Sequence, residues 1–471
     1  MVGRQNEIAE LERAYESDES EFVAIYGRRR VGKTFLIRET FNDRFVFYHS
    51  GVAKYALQKQ LSRFRQSLLE FGSASVPALR NWDQAFDALK KVIAASTMKR
   101  KVIFIDEMPW LDTPRSGFVS ALEAFWNGWA SARKDILLIV CGSAASWIVK
   151  NLFRNRGGLH NRVSTRIYLQ PFNLSECEQF VREKGLVMSR RDIVEAYMIF
   201  GGIPYYWKYL DRRFSLAQNI DRIFFAAGAP LRYEFEDLYG SLFGRSKLYM
   251  DIVRVLSLKK AGMSRLELCV ALKVSGSGKL SEALKVLEQC GFIRTYCPPR
   301  GKKKNSIFQL TDSFTLFHFR FLDRAGAVDE REWSSQALSP SRNVWRGVAF
   351  ERVCLMHLEQ IRRKLGIFGV HINAYAWSCR ADEKCPFGAQ VDLVIDRTDG
   401  VVDLCEMKYC NGLFVVDKAY MADLDRKRTA YSLKVSNKKA IHICMITTEG
   451  VFSNEFSGQI QSEVLFEDLF K

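Results

Sequence analysis

The stretch FVAIYGRRRVGKT, Phe22 to Thr34, decides how the rest of the chain is read. A short apolar run stops at a glycine and passes into Gly27-Arg28-Arg29-Arg30-Val31-Gly32-Lys33-Thr34, the spacing of a P-loop. In that pattern a strand delivers the chain to a loop whose backbone N–H groups point inward at phosphate. Glycine is wanted at Gly27 and Gly32, where a Cβ would crowd the anion or forbid the backbone angle. Lys33 then reaches the β- and γ-phosphates and the Thr34 hydroxyl ligates Mg²⁺. A helix expected from Lys33 to Thr40 adds its positive end. The ligand implied is ATP, with GTP as the alternative.

Downstream, KVIFIDEMPWL has the matching acids. Val102 to Ile105 read as a strand buried on both faces, ending in Asp106 and Glu107, the Walker B pattern. A carboxylate at the C-terminal end of a parallel strand sits beside the P-loop, so Asp106 is expected to hold Mg²⁺ and its waters. Glu107 is expected to orient and polarise the attacking water, the role that separates a hydrolase from a nucleotide-holding switch. A further buried strand, Ile136 to Val140, leads into Cys141-Gly142-Ser143. Ser143 resembles the sensor position of AAA-type enzymes, which implies contact with the γ-phosphate or the water; capping of a helix starting near Ala144 is the alternative. In related ATPases an arginine from the region NLFRNRGGLHNRVSTRIYLQPF reaches the γ-phosphate, from the same chain or a neighbouring copy. Arg162 is the first candidate and Arg156 the second, and a homo-oligomer stays open.

The 471 residues allow three or four domains, and 48% hydrophobic residues give each a core. Lys and Arg outnumber Asp and Glu by 70 to 53, a formal charge of +17, which favours a polyanionic partner such as DNA. The 11 cysteines show no CxxC pair and no zinc-type spacing, so they read as reduced thiols of a cytoplasmic protein. The charged, helical first residues do not read as a signal peptide, and no apolar run approaches the ~20 residues of a membrane span.

Between the two ends the pattern is helical. Residues 56–97 carry apolar residues on one face, and Phe200-Gly-Gly-Ile-Pro-Tyr-Tyr interrupts a second helical region that starts at Leu174. From Tyr249 three short helices precede FIRTYC and SIFQLTD, an order that resembles a winged helix. Its basic tip, Arg300, Lys302, Lys303 and Lys304, would meet phosphate. Residues 329–345 lack periodicity and are taken as the last boundary.

The terminal region contains GAQVDLVIDRTDGVVDLCEMKY, two strands around Asp399-Gly400. If Thr398 to Gly400 form a three-residue loop, Arg397 pairs with Val401 and Asp392 falls opposite Glu406. Facing carboxylates with Cβ atoms about 5 Å apart repel unless a cation lies between them. Lys408 projects from the same face as Glu406. Two acids for a divalent metal and a lysine for the water or phosphate are the components of metal-assisted phosphodiester cleavage. Asp392 with Glu406-Met-Lys408, and Glu351 on the preceding helix, resembles the PD-(D/E)xK nuclease core, with Val391 where the name's proline would stand. That resemblance implies Mg²⁺ or Mn²⁺ on Asp392, Glu406 and Glu351, and a catalytic role for Lys408.

Taken together, GRQNEI, GRRRVGKT, FIDE, GGIPYY and the ExK hairpin resemble prokaryotic AAA-type P-loop ATPases with a winged helix and a C-terminal nuclease-like domain. The expected class is α/β: a parallel-sheet P-loop core over 1–170, a helical lid over 171–245, a winged helix over 246–328 and a restriction-endonuclease-like domain over 329–471. The alternative is an ATP-operated signalling or DNA-binding switch with a degenerate nuclease-like module.

Overall fold

Apolar runs with no polar alternation belong to strands covered on both faces, and in the computed structural model Lys101–Asp106 and Ile136–Gly142 are buried along their whole length. The structure describes residues 1–73, 75–154, 157–159, 161–244, 246–274, 278–297, 306–323, 329–336, 339–383, 385–435 and 438–471. They fall into two compact units, residues 1–171 with 240–244, and residues 172–239 with 245–471.

In the first unit, β1 (Glu21–Tyr26), β2 (Phe47–Ser50), β3 (Lys101–Asp106), β4 (Ile136–Gly142) and β5 (Thr165–Tyr168) form one parallel sheet in the order β2-β3-β4-β1-β5. Phe22, Ala24, Ile103, Ile105, Leu138 and Val140 share a core with Phe64, Trp82, Phe86 and Phe118. The last four lie on the helices Leu57–Glu70, Trp82–Ala95 and Phe118–Phe125, so the apolar face expected of residues 56–97 is the one that covers the sheet. Because every strand runs the same way, the chain leaves β1, β3 and β4 along one edge, where an open α/β sheet receives its ligand.

The second unit begins with helices. Phe172 N donates to Gly202 O at 2.7 Å, and a Cβ at Gly202 would sit 1.8 Å from Phe172 O. The Gly-Gly of GGIPYY is therefore a close backbone crossing, and Pro204 then opens the helix Pro204–Trp207. The helices Lys247–Ser257, Arg265–Leu272 and Gly278–Gln289 accompany a small antiparallel sheet of β6 (Met263–Ser264), β7 (Ile293–Tyr296) and β8 (Ile307–Leu310), ordered β6-β8-β7. The tip with Arg300, Lys302, Lys303 and Lys304 lies outside the described residues.

A mixed sheet follows, β13-β12-β11-β10-β9, built from β9 (Ile372–Cys379), β10 (Ala389–Arg397), β11 (Val401–Lys408), β12 (Ala440–Thr447) and β13 (Ser462–Leu465). β10 is antiparallel to both of its neighbours, β9 and β11, and β11, β12 and β13 run parallel.

Residues 329–345 depart from the aperiodic boundary expected of them. They enter the helices Glu332–Ser335 and Pro340–Met356, the second capped by Ser339 and opened by proline. Trp333 and Trp345 are buried, 5.5 Å apart edge to face, and both rings meet Phe317 and Phe321. Within 329–345 the first helix has only 4 residues and the second has barely begun, too short a window to show a period, while the aromatic partners sit earlier in the chain. Among the described residues, no helix is long and apolar enough to cross a membrane.

Candidate functional site

Where β1 ends, the chain turns through Gly27 (φ 148°), Arg30 (φ 73°) and Gly32 (φ 94°), and the helix Lys33–Phe41 starts at once. Closely spaced positive-φ positions of this kind suit a loop whose successive amides turn towards an anion. A Cβ at Gly27 would lie 2.5 Å from Leu169 O, whereas nothing lies within 4 Å of one at Gly32. Gly27 is thus required by its approach to the chain after β5, and Gly32 by its backbone angle.

Lys33 is buried, and its Nζ donates to Gly27 O and Arg28 O at 3.2 and 2.9 Å. The Thr34 hydroxyl donates to Asp106 Oδ2 at 2.8 Å, bringing together two residues 72 positions apart. Asp106 Oδ1 accepts from the Cys141 thiol at 2.6 Å and from Glu107 N at 2.8 Å. Glu107 takes a left-handed backbone (φ 44°), and its carboxylate accepts from Ser143 Oγ at 2.6 and 2.8 Å and from Ser143 N at 3.2 Å. The hydroxyl of Ser143 is therefore spent on Glu107; the following helix, Ala145–Ile148, has Ala144 at its cap with no side-chain bond.

Burial pushes the Lys33 ammonium's pKa down, against the pull of Cys141, Glu107 and Asp106, and pushes that of Asp106 up. A polyanion beside Lys33 and a divalent cation beside Thr34 and Asp106 would each reverse that penalty, so these residues fit ATP with Mg²⁺. Of the flanking arginines, Arg28 is buried, and Arg29 and Arg30 are partly exposed. Arg162 is exposed in the turn ahead of β5 and stands outside this hydrogen-bonded set, and Arg156 lies outside the described residues.

Two members went unread in the sequence. Arg4, in the GRQNEI segment, is buried and donates to Val31 O at 3.3 Å, so that segment braces the loop itself. Cys141 is fully buried, and burial pushes its thiol well up, leaving it a neutral donor to Asp106. The strand order that puts β4 between β1 and β3 is the signal that would have found Cys141.

The second constellation belongs to the second unit. β10 and β11 pair with Leu393 opposite Cys405 and Asp396 opposite Val402; continued by one residue, this register sets Asp392 opposite Glu406. Against β9 the register of β10 shifts between Val391 and Val394, a bulge over Asp392 and Leu393. Its Oδ2 accepts from Met407 N at 3.2 Å. Glu351, on the helix Pro340–Met356, and Asp392 both contact Lys260 Nζ, which lies 2.9 Å from Asp392 Oδ1.

Glu406 is buried and pairs with Lys427 of the helix Lys418–Val435 at 2.8 Å; Lys408 Nζ is farther from it, at 3.7 Å. Lys408 also lies over the Tyr420 ring, 5.2 Å from its centroid. The cation demanded by facing carboxylates is thus supplied by lysine ammoniums. Among the described residues, no three His, Cys, Asp or Glu side chains are grouped to hold a metal. Burial, with Asp392 next, lifts Glu351 to about 7 despite Lys260, and the same two influences raise Glu406.

Asp392 and Glu406 border an open cleft of about 780 Å³, with Lys259, Lys260, Arg380, Lys408, Arg426 and Lys427 among its lining. Lys260 and Lys427 were not legible in the sequence, since Lys260 stands 132 positions from Asp392 in a segment with no motif.

Residues 1–210 match the model of a family described as an ATPase domain predominantly from Archaea. An uncharacterized protein of Methanocaldococcus jannaschii is 24% identical over 394 residues, 81% of this chain and 83% of that one. Among solved structures, the Walker-type ATPase of Pyrococcus abyssi is similar with a TM-score of 0.48 at 17% identity, over 68% of this chain and 96% of that one. The ORC2 protein of Aeropyrum pernix, solved in ADPNP–ADP complexes, follows with a TM-score of 0.43 at 15% identity, over 72% and 95%.

Proposed function

We propose that the chain is an AAA-type ATPase that binds and hydrolyses ATP with Mg²⁺ and couples that cycle to DNA. DNA is engaged by a winged helix within residues 246–328 and acted on at a metal-dependent nuclease-like site in the terminal sheet. The observation that carries the ATPase half is the chain of contacts Thr34–Asp106 and Glu107–Ser143 at one edge of a parallel sheet. Bound ATP–Mg²⁺ supplies an electrophilic γ-phosphorus and the charge that must be balanced around it. The loop amides and Lys33 bind phosphate oxygens, Thr34 and Asp106 hold the cation, and Glu107 accepts the proton of a water while Ser143 fixes its carboxylate. Arg162 is the arginine proposed to meet the γ-phosphate.

For the second half, support comes from the pairing that sets Asp392 opposite Glu406 and from six basic residues along the cleft. The carboxylates of Glu351 and Asp392 present hard oxygen donors to one point, a donor set that suits Mg²⁺ or Mn²⁺ completed by water. Glu406 and Lys408 would then act on the water or the phosphate.

A second reading has its own observation. Lysine ammoniums already answer all three carboxylates, which is what a module that has given up its metal would look like. The protein would then be an ATP-operated switch. One assay separates the two: the full chain with ATP, Mg²⁺ or Mn²⁺, and single- and double-stranded DNA, beside Glu107→Gln and Asp392→Asn. Nicking lost in Asp392→Asn supports the nuclease; ATP turnover without nicking supports the switch; absence of turnover in the wild type rejects the ATPase.

A further inference from the structure

A single ammonium touches both Glu351 and Asp392, two carboxylates brought from a helix and a strand. Any point in contact with both is also where a divalent ion would bind, at roughly 2.0–2.6 Å from carboxylate oxygens. With both acids ionised, one ammonium leaves the pair a unit short of neutrality and a divalent ion does not. We propose that Lys260 is a built-in competitor for the divalent cation: its ammonium occupies the metal's place, and the metal binds only when that side chain swings out. This rests on the metal site proposed above.

The anchoring of Lys260 fits a side chain that moves on a backbone that does not. Its carbonyl accepts from Gln309 Nε2 at 2.7 Å and from Arg352 Nη2 at 2.6 Å. Ala261 O accepts from the Tyr296 hydroxyl at 2.5 Å, and Gly262 (φ 79°) has Phe308 O 2.5 Å from where a Cβ would be. The Lys260 side chain, by contrast, is 35% exposed and borders the open cleft. Its departure needs only rotations about side-chain bonds, which are fast compared with any refolding of the segment.

The test is Mn²⁺ binding by calorimetry to the full chain as wild type, Lys260→Met, Lys260→Arg and Lys260→Met with Asp392→Asn. A competitor present most of the time weakens apparent affinity by the fraction of time the site is open. Lys260→Met should therefore bind Mn²⁺ about tenfold or more tightly than wild type. Lys260→Arg should remain weak, and the double variant should lose the site. Equal affinity in wild type and Lys260→Met, abolished by Asp392→Asn, overturns the competitor while leaving the metal site standing. No Mn²⁺ binding in either rejects the metal site itself. Should Lys260→Met not fold, acylation of Lys260 in the wild type decides: Mn²⁺ should raise its reactivity with an amine reagent by several-fold, and unchanged or reduced reactivity overturns the proposal.

Discussion

At the scale of single residues, Glu107 carries the sharpest expectation, because its backbone is left-handed and its carboxylate is gripped by the hydroxyl and amide of one serine. Glu107→Gln should keep nucleotide affinity and lower turnover by about 10²–10⁴-fold, the usual worth of a positioned general base. Lys33→Ala should instead lose nucleotide binding, and a titration with a fluorescent ATP analogue beside a phosphate-release assay checks both. His357 offers a pH prediction. Fully buried, it accepts from Leu174 N through Nε2 at 2.9 Å, and its Nδ1 lies 2.8 Å from Val353 O. That pattern needs the neutral ring with the proton on Nδ1, and burial pushes its pKa down to about 4. The folded state therefore binds this proton less readily than the unfolded chain, with its pKa near 6.5. The stability involved is fully present above that value and is lost as pH falls towards 4, by up to about 3 kcal/mol. Urea midpoints at pH 7 and 5 should lie closer together in His357→Gln, which cannot titrate, than in wild type.

At the scale of elements, the sequence carried the P-loop strand and helix, the acid-ended strand and the register of the β10–β11 hairpin, since each depends on short-range patterns of burial and turn chemistry. It did not carry the bulge at Asp392, which depends on β9, nor Lys260 and Lys427, which arrive from other elements. Lys260 changes the sign of one expectation. Facing acids alone would make Asp392→Asn neutral or stabilising without metal; because Asp392 is already paired, the substitution should destabilise the apo protein. The cost should be about 1–3 kcal/mol, towards the low end because Lys260 is one-third exposed. Thermal melts in the presence of a chelator measure it. Gly202→Ala forces a Cβ onto Phe172 O and should cost about 3 kcal/mol, the upper end of the usual penalty for overpacking. A lowered melting temperature checks that; an unchanged one would show that the crossing can open.

At the scale of the whole chain, the charge of +17 remains the broadest clue to a polyanionic partner. Replacing Lys302, Lys303 and Lys304 with Ala should weaken DNA binding and lower the slope of log affinity against log salt by up to about 3. A salt titration of fluorescence anisotropy reads that slope, and an unmoved slope would exclude these lysines from phosphate contact.

The buried pair Trp333 and Trp345 bears on how this protein can be taken apart. Residues 330–471 look like a detachable cassette, yet cutting there removes Phe317 and Phe321 from both indoles and Glu195 from Arg342 and Arg346. The same cut strips Glu351 and Asp392 of Lys260. A fragment starting at 330 would expose raw aromatic surface and an unanswered pair of acids, and should aggregate. The C-terminal sheet is therefore not a portable module, and a lineage that gained or lost it would have had to move the helices and small sheet before it as well.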